Sequence, residues 1–122
     1  MKIIDLLTEV DEQKPNTYTQ ADKLRWLSVC EGKIIDSVLR KHIPVYSEEF
    51  NGYTAADLST ELLVPDTYVD LYKYYIYAMI DATNGETKRY EGSMQLYNMM
   101  LKDYTDWYNR THMPVQVGRM RW

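Results

Sequence analysis

The chain has 122 residues, 45% of them hydrophobic and 26% charged, and carries a net charge of −4. That size argues for one domain with a real core and no need of staples. The single cysteine rules out a disulfide framework within the chain and makes a reducing compartment the default, and the acidic balance leaves no basic face for counterion-release binding of DNA.

The first residues, MKIIDLLTEVDE, interrupt their apolar positions with Asp5 and Glu9, unlike a signal peptide. No stretch approaches the roughly 18 apolar residues of a membrane span. Ile3, Leu6, Leu7 and Val10 match the template of a short amphipathic helix. Lys14-Pro15-Asn16 ends it, since proline cannot continue a helix. Thr19 is then an N-cap, with Asp22 completing a variant capping box. A long second helix is predicted to about His42. Leu24, Leu27, Cys30, Ile34 and Val38 form its buried stripe, which extends to Ile43, and Trp26, Ile35 and Leu39 flank it. Gly32 inside this helix costs about 1 kcal/mol against alanine, which predicts a close helix–helix approach there.

Residues 44–64 read as an extended arm or loop. Pro44 stops the second helix. Asn51-Gly52 favours a type I′ hairpin turn, with Val45-Tyr46 and Tyr53-Thr54 as flanking short strands; Thr54 to Leu62 reads equally as a helical turn. A connection this long inside a compact domain is usually functional or disordered, so the arm is expected to be mobile in a free subunit or ordered by a neighbour. Asp66, after Pro65, is expected to cap a third helix to Thr83. Val69, Tyr72, Ile76 and Met79 make its stripe, widened by Tyr68, Leu71, Tyr75 and Ile80. A helix apolar over most of its circumference belongs in the centre of a bundle or in an assembly. Asn84-Gly85 supplies a left-handed cap, and a fourth helix follows from Glu86 to about His112, making an antiparallel hairpin. The whole is expected to be an all-α bundle of four main helices with an irregular arm. Residues 1–114 form a single helical domain and 115–122 an extended C-terminal tail.

The fourth helix carries Tyr90, Met94, Tyr97, Leu101, Tyr104 and Tyr108 on one stripe. Tyrosine pairs a large apolar body with a wet hydroxyl, which suits surfaces buried in an assembly. Tyr97, Tyr104, Trp107 and Tyr108 are therefore interface candidates. Lys88 and Arg89 oppose the dipole at the start of that helix, which suggests an acidic partner. Arg119, Arg121 and Trp122 are of the types enriched in hot spots. The remaining reactive side chains have bland readings. His42 and His112 stand at helix ends without metal-ligand spacing. Cys30 lies on an apolar stripe. Glu48-Glu49 and Asp103/Asp106 look like solvated charge. Met94, Met99 and Met100 read as packing in a helix hairpin before a peptide groove. With no Gly-rich phosphate loop, HExxH or GxSxG, no enzyme, cofactor or metal is expected.

Three stretches together resemble one family. They are Val10-Asp11-Glu12-Gln13-Lys14-Pro15-Asn16 leading to LRWLSVCEGKI (24–34), ELLVPDTYVDLYKYYIYAMID (61–81), and RYEGSMQLYNMMLKDYTDWYNRTHMP (89–114). The combination is similar to the small helical head–tail connector (adaptor) proteins of long-tailed double-stranded-DNA phages and prophages, which act in DNA packaging and head completion. The resemblance implies a subunit of a homo-oligomeric ring beneath the portal protein. Such a ring seals the filled head, docks the next neck or tail protein, and lets DNA pass through its lumen non-specifically. It also implies residence in the virion neck, after assembly in the bacterial host cytoplasm, with no membrane partner and no enzymatic site. The acidic first half, with seven basic and eleven acidic residues over 1–65, is compatible with a lumen that repels DNA. The alternative is a small helical protein-interaction module of a bacterial regulator, such as an antitoxin-like or adaptor domain.

Overall fold

The computed structural model describes residues 1–115. Four helices carry the fold: α1 (Ile3–Gln13), α2 (Gln20–Ser37), α3 (Asp70–Thr83) and α4 (Thr87–Thr111). Two short strands, β1 (His42–Ile43) and β2 (Met113–Pro114), pair antiparallel with Ile43 opposite Met113. The chain is thus an all-α bundle of four helices, with an irregular segment between α2 and α3 and one very short ribbon.

Each helix boundary has a local cause. In α1, Ile3, Leu6, Leu7 and Val10 are all buried, as their spacing requires. No side chain caps its start; instead the Ile3 and Ile4 N–H groups donate to the carbonyls of Thr60 and Leu58 at 3.0 and 2.9 Å. Orphan donors of a helix end are thus satisfied from a distant part of the chain. The predicted capping box of α2 forms: the Asp22 N–H donates to Thr19 Oγ1 at 3.1 Å, and the Thr19 N–H to Asp22 Oδ2 at 3.3 Å.

The helix predicted to about His42 stops earlier, at Ser37. A 3-10 turn, Leu39–Lys41, then leads into β1. This moves Ile43 off the α2 stripe and onto the surface. Two further 3-10 turns follow, Ala55–Asp57 within the connecting segment and Asp66–Tyr68 before α3, the latter with Pro65 rather than Asp66 at its N-cap position. The α3–α4 link follows expectation. Gly85 has φ +75°, its N–H donates to the Ala82 carbonyl at 3.1 Å, and the Glu86 N–H donates to that of Asp81 at 2.9 Å. The reversal closes the hairpin in which α3 and α4 pack along their lengths.

The 44–64 segment is where the structure corrects the sequence reading most. No hairpin forms at Asn51-Gly52, and no strands flank it. A type I′ turn needs a positive φ at both central residues, but among the described residues only glycines have one, and Gly52 (φ +99°) stands alone here. Gly52 is needed for a second reason: a Cβ there would lie 3.3 Å from Ser28 Oγ. The next residue, Tyr53, donates its N–H to that oxygen at 2.8 Å. Nor is the segment a free arm, for Leu62 and Val64 are buried and Phe50, Tyr53 and Leu58 pack on the core. Gly32 faces the Phe50 ring, 3.9 Å from where a Cβ would stand, so its neighbour is this segment and not another helix.

The core runs between α1, α2 and the α3–α4 hairpin. Leu27, Cys30, Ile34, Leu71, Tyr72 and Ile76 are fully buried within it. Two carboxylates are buried as well. Glu31 of α2 accepts from the Tyr72 hydroxyl at 2.7 Å, from the Tyr53 hydroxyl at 2.8 Å and from the Leu63 N–H at 3.2 Å. Asp81 of α3 forms an ion pair with Lys14 Nζ at 2.7 Å, and the Ser93 hydroxyl donates to its other oxygen at 3.5 Å. A buried charge is tolerated when it is paired or supplied with donors in this way.

Candidate protein-interaction surface

Of the residues expected at an interface, Tyr97 and Tyr104 turn inward. They are 4% and 1% exposed. Tyr97 packs on Tyr75 with ring centroids 5.1 Å apart, and its hydroxyl lies 3.9 Å from Cys30 Sγ. The α4 stripe thus supplies core first and surface second, because α3 offers it a continuous apolar partner. Burial pushes both phenols, and the Cys30 thiol, well above their ordinary ranges. The thiol is therefore a small core group and a poor nucleophile.

Trp107 and Tyr108 remain half-buried, at the end of the bundle where α4 meets the ribbon. Tyr108 is stacked on His112, with centroids 3.7 Å apart and planes within 3°, and meets His42 edge-on at 4.9 Å. His42 stands at a helix end, as the C-cap of the 3-10 turn that follows α2. It is buried, its Nδ1 is 2.7 Å from the Val38 carbonyl, and its Nε2 is 2.6 Å from the Asn109 side chain. These contacts fix the end of α4 to the end of α2. The Val115 N–H adds a 2.9 Å bond to the Lys41 carbonyl.

Around this corner the surface is apolar. Ile43 and Met113, cross-strand partners, are 49% and 66% exposed, and Val45 and Leu63 are exposed beside them. A shallow cleft of about 460 Å³ lies at Val45 and Leu63, lined also by Pro44 and Tyr108 and, on its polar side, by Ser47 and Glu48; Ile43 and Met113 stand outside it. Of the four exposed apolar residues, periodicity placed only Ile43, as the buried end of the α2 stripe; Val45, Leu63 and Met113 lie outside every helix. A signal was present in the apolar pairs Ile43-Pro44-Val45 and Met113-Pro114-Val115, which lie beside helix-stopping prolines.

Lys88 and Arg89 are exposed on the first turn of α4, at the opposite end of that helix, and Arg89 reaches Glu86 at 3.5 Å. They are not brought to the aromatic corner. Arg119, Arg121 and Trp122 lie outside the described residues. Among the described residues no helix is long and apolar enough to cross a membrane, and no three His, Cys, Asp or Glu side chains are placed to hold a metal ion. No family model matches the chain, and neither a curated protein nor a solved structure does.

Proposed function

We propose that the chain is a structural, non-enzymatic subunit of a phage neck, a head–tail connector that docks on the portal and on its own copies in a ring. The observation that carries this reading is the exposed apolar corner formed by Ile43, Val45, Leu63 and Met113. Contiguous apolar surface on a small domain is costly unless something covers it, and it marks interaction sites. Here it sits on a rigid base, because β1, β2 and the buried His42 hold the corner's backbone in place. Rigid presentation lowers the entropy that docking must overcome. The order and spacing of the three resembling stretches supply the kind of partner.

The test is electron microscopy of the protein mixed with its cognate portal, alongside a Met113→Glu variant. The expected result is ring density beneath the portal with the natural chain and none with the variant, whose helix content is unchanged. Absence of portal binding by the natural chain overturns the connector reading.

A further inference from the structure

A second apolar surface lies on α4, away from the ribbon corner. Leu96 and Met99 are 43% and 62% exposed on the side turned away from α3. They are the centre of a stripe that runs Arg89, Gly92, Leu96, Met99, Asp103 and Asp106, with successive spacings of 3, 4, 3, 4 and 3 residues. This is the helical repeat of one face. The spacing is the same read from either end. Arg89 lies seven residues before Leu96, and Asp106 lies seven after Met99. Gly92 and Asp103 are likewise each four residues from the apolar pair.

We infer that this face pairs with the same face of a second copy, the two α4 helices running antiparallel about a two-fold axis between Leu96 and Met99. In that arrangement Leu96 of each copy meets Met99 of the other. Each Arg89 falls opposite Asp106 of the other copy, about 13 Å from the axis at a 1.5 Å rise per residue. Asp103 falls opposite Gly92, one turn from Arg89. Both ends of the contact thus join unlike charges, and the pairing is self-complementary as a two-fold contact must be. A parallel pairing would instead set Arg89 beside Arg89 and acid beside acid.

Gly92 supports the same partner. It sits within a long helix, where glycine is unfavourable relative to alanine. Among the described residues nothing lies within 4 Å of where its Cβ would stand, so no contact among them calls for glycine. A second helix crossing at that point does, since a missing Cβ lets two backbones approach. Arg89 and Asp106 already have partners on their own helix, Glu86 at 3.5 Å and Lys102 at 2.7 Å. These exposed pairs hold their charges only weakly. Two helices touching over a few turns bury less than the roughly 1,200–2,000 Å² of a stable interface. The pair is accordingly weak and concentration-dependent. It goes beyond the neck assignment and does not depend on it.

Sedimentation equilibrium of the whole chain over a wide concentration range tests the pairing. A reversible shift from one copy to two is expected. Arg89→Glu should weaken association about tenfold, because the axis doubles each lost contact. The double variant Arg89→Glu/Asp106→Arg should restore it to within about threefold of the natural chain. Gly92→Ala should raise the thermal midpoint of the single copy while weakening association, a divergence that loss of folding cannot produce. A mass of one copy at every concentration overturns the inference. So does a dimer indifferent to Arg89→Glu and Gly92→Ala, or assembly directly to a higher mass without a two-copy state.

Discussion

The Tyr72 hydroxyl of α3 donates to the buried carboxylate of Glu31 in α2 at 2.7 Å, and the same hydroxyl accepts from the Val64 N–H at 3.0 Å. One phenol therefore joins two helices to the segment that connects them. Tyr53 and Leu63 bind the same carboxylate from that segment. Three parts of the chain distant in sequence depend on a single acidic side chain.

Tyr72→Phe keeps the ring and removes the hydroxyl. It leaves Glu31 with one donor fewer and the Val64 N–H without its acceptor. The expected loss is about 2–3 kcal/mol, the cost of unsatisfied buried groups. Urea unfolding measures it. A loss under about 0.5 kcal/mol would show that the network relaxes around the gap.

Desolvation raises the Glu31 carboxyl above its usual range, and the bonds from Tyr72, Tyr53 and the Leu63 N–H offset this only in part. The folded chain therefore holds the Glu31 proton more tightly than the unfolded chain. The resulting stability is complete below the unfolded value of about 4.3. It is lost as the pH rises through the raised folded value. Glu31→Gln abolishes the titration. The stability of the natural chain minus that of the variant should fall with rising pH above about 4.3; a difference that stays level or rises contradicts the assignment.

Lys14→Met removes the cation beside the fully buried Asp81. Stranding a buried carboxylate costs about 3 kcal/mol or more. Pairing the change with Asp81→Leu should recover most of the loss, since an apolar pair replaces an ion pair well. Thermal unfolding of the single and double variants reads this directly. If the double is no more stable than Lys14→Met alone, the pair is not the cause.

On α4, Tyr104 is fully buried and Leu101 only partly. Tyr104→Ala should cost about 3–5 kcal/mol, and Leu101→Ala less than about 2. Sequence spacing ranks the two alike; denaturant midpoints with equal slopes will separate them. Equal costs would mean that Leu101 is as enclosed as its position on the stripe implies.

Hydrogen exchange should find slow amides within the 44–64 segment. The Tyr53, Leu62 and Val64 N–H groups donate to Ser28 Oγ, the Met1 carbonyl and the Tyr72 hydroxyl. Exchange at these sites is expected to track opening of the bundle. Uniformly fast exchange across 52–64 would mean that the segment detaches while the helices stay folded.

The helices were legible because their signals are local. The Thr19–Asp22 capping box, the stripe from Leu24 to Val38 and the Asn84-Gly85 break each act over a turn or two. The connecting segment was not, because what holds it is remote: a carboxylate on α2, a hydroxyl on α3 and the first turn of α1. Glu31 does carry a sign of burial, since Leu27, Ile34 and Ile35 flank it at helical spacing, but its partners Tyr53, Leu63 and Tyr72 are remote and carry none. The candidate surface was half legible. Aromatic richness in α4 was visible, yet whether Tyr97 or Trp107 faces outward depends on where α3 lies. The apolar positions beside Pro44 and Pro114 were visible in the sequence, but that Ile43 leaves the α2 stripe and lies beside Met113 follows only from their antiparallel pairing.

That ribbon also bears on the order in which the molecule assembles. The α3–α4 hairpin closes across a tight reversal and can form early, from neighbours along the chain. The ribbon instead closes a large loop holding the connecting segment, α3 and α4, and it has little backbone pairing to offset the entropy of that closure. It belongs late in folding, after the bundle has brought its ends together. Changes at Ile43 or Met113 should therefore leave the folding rate nearly constant and appear as faster unfolding.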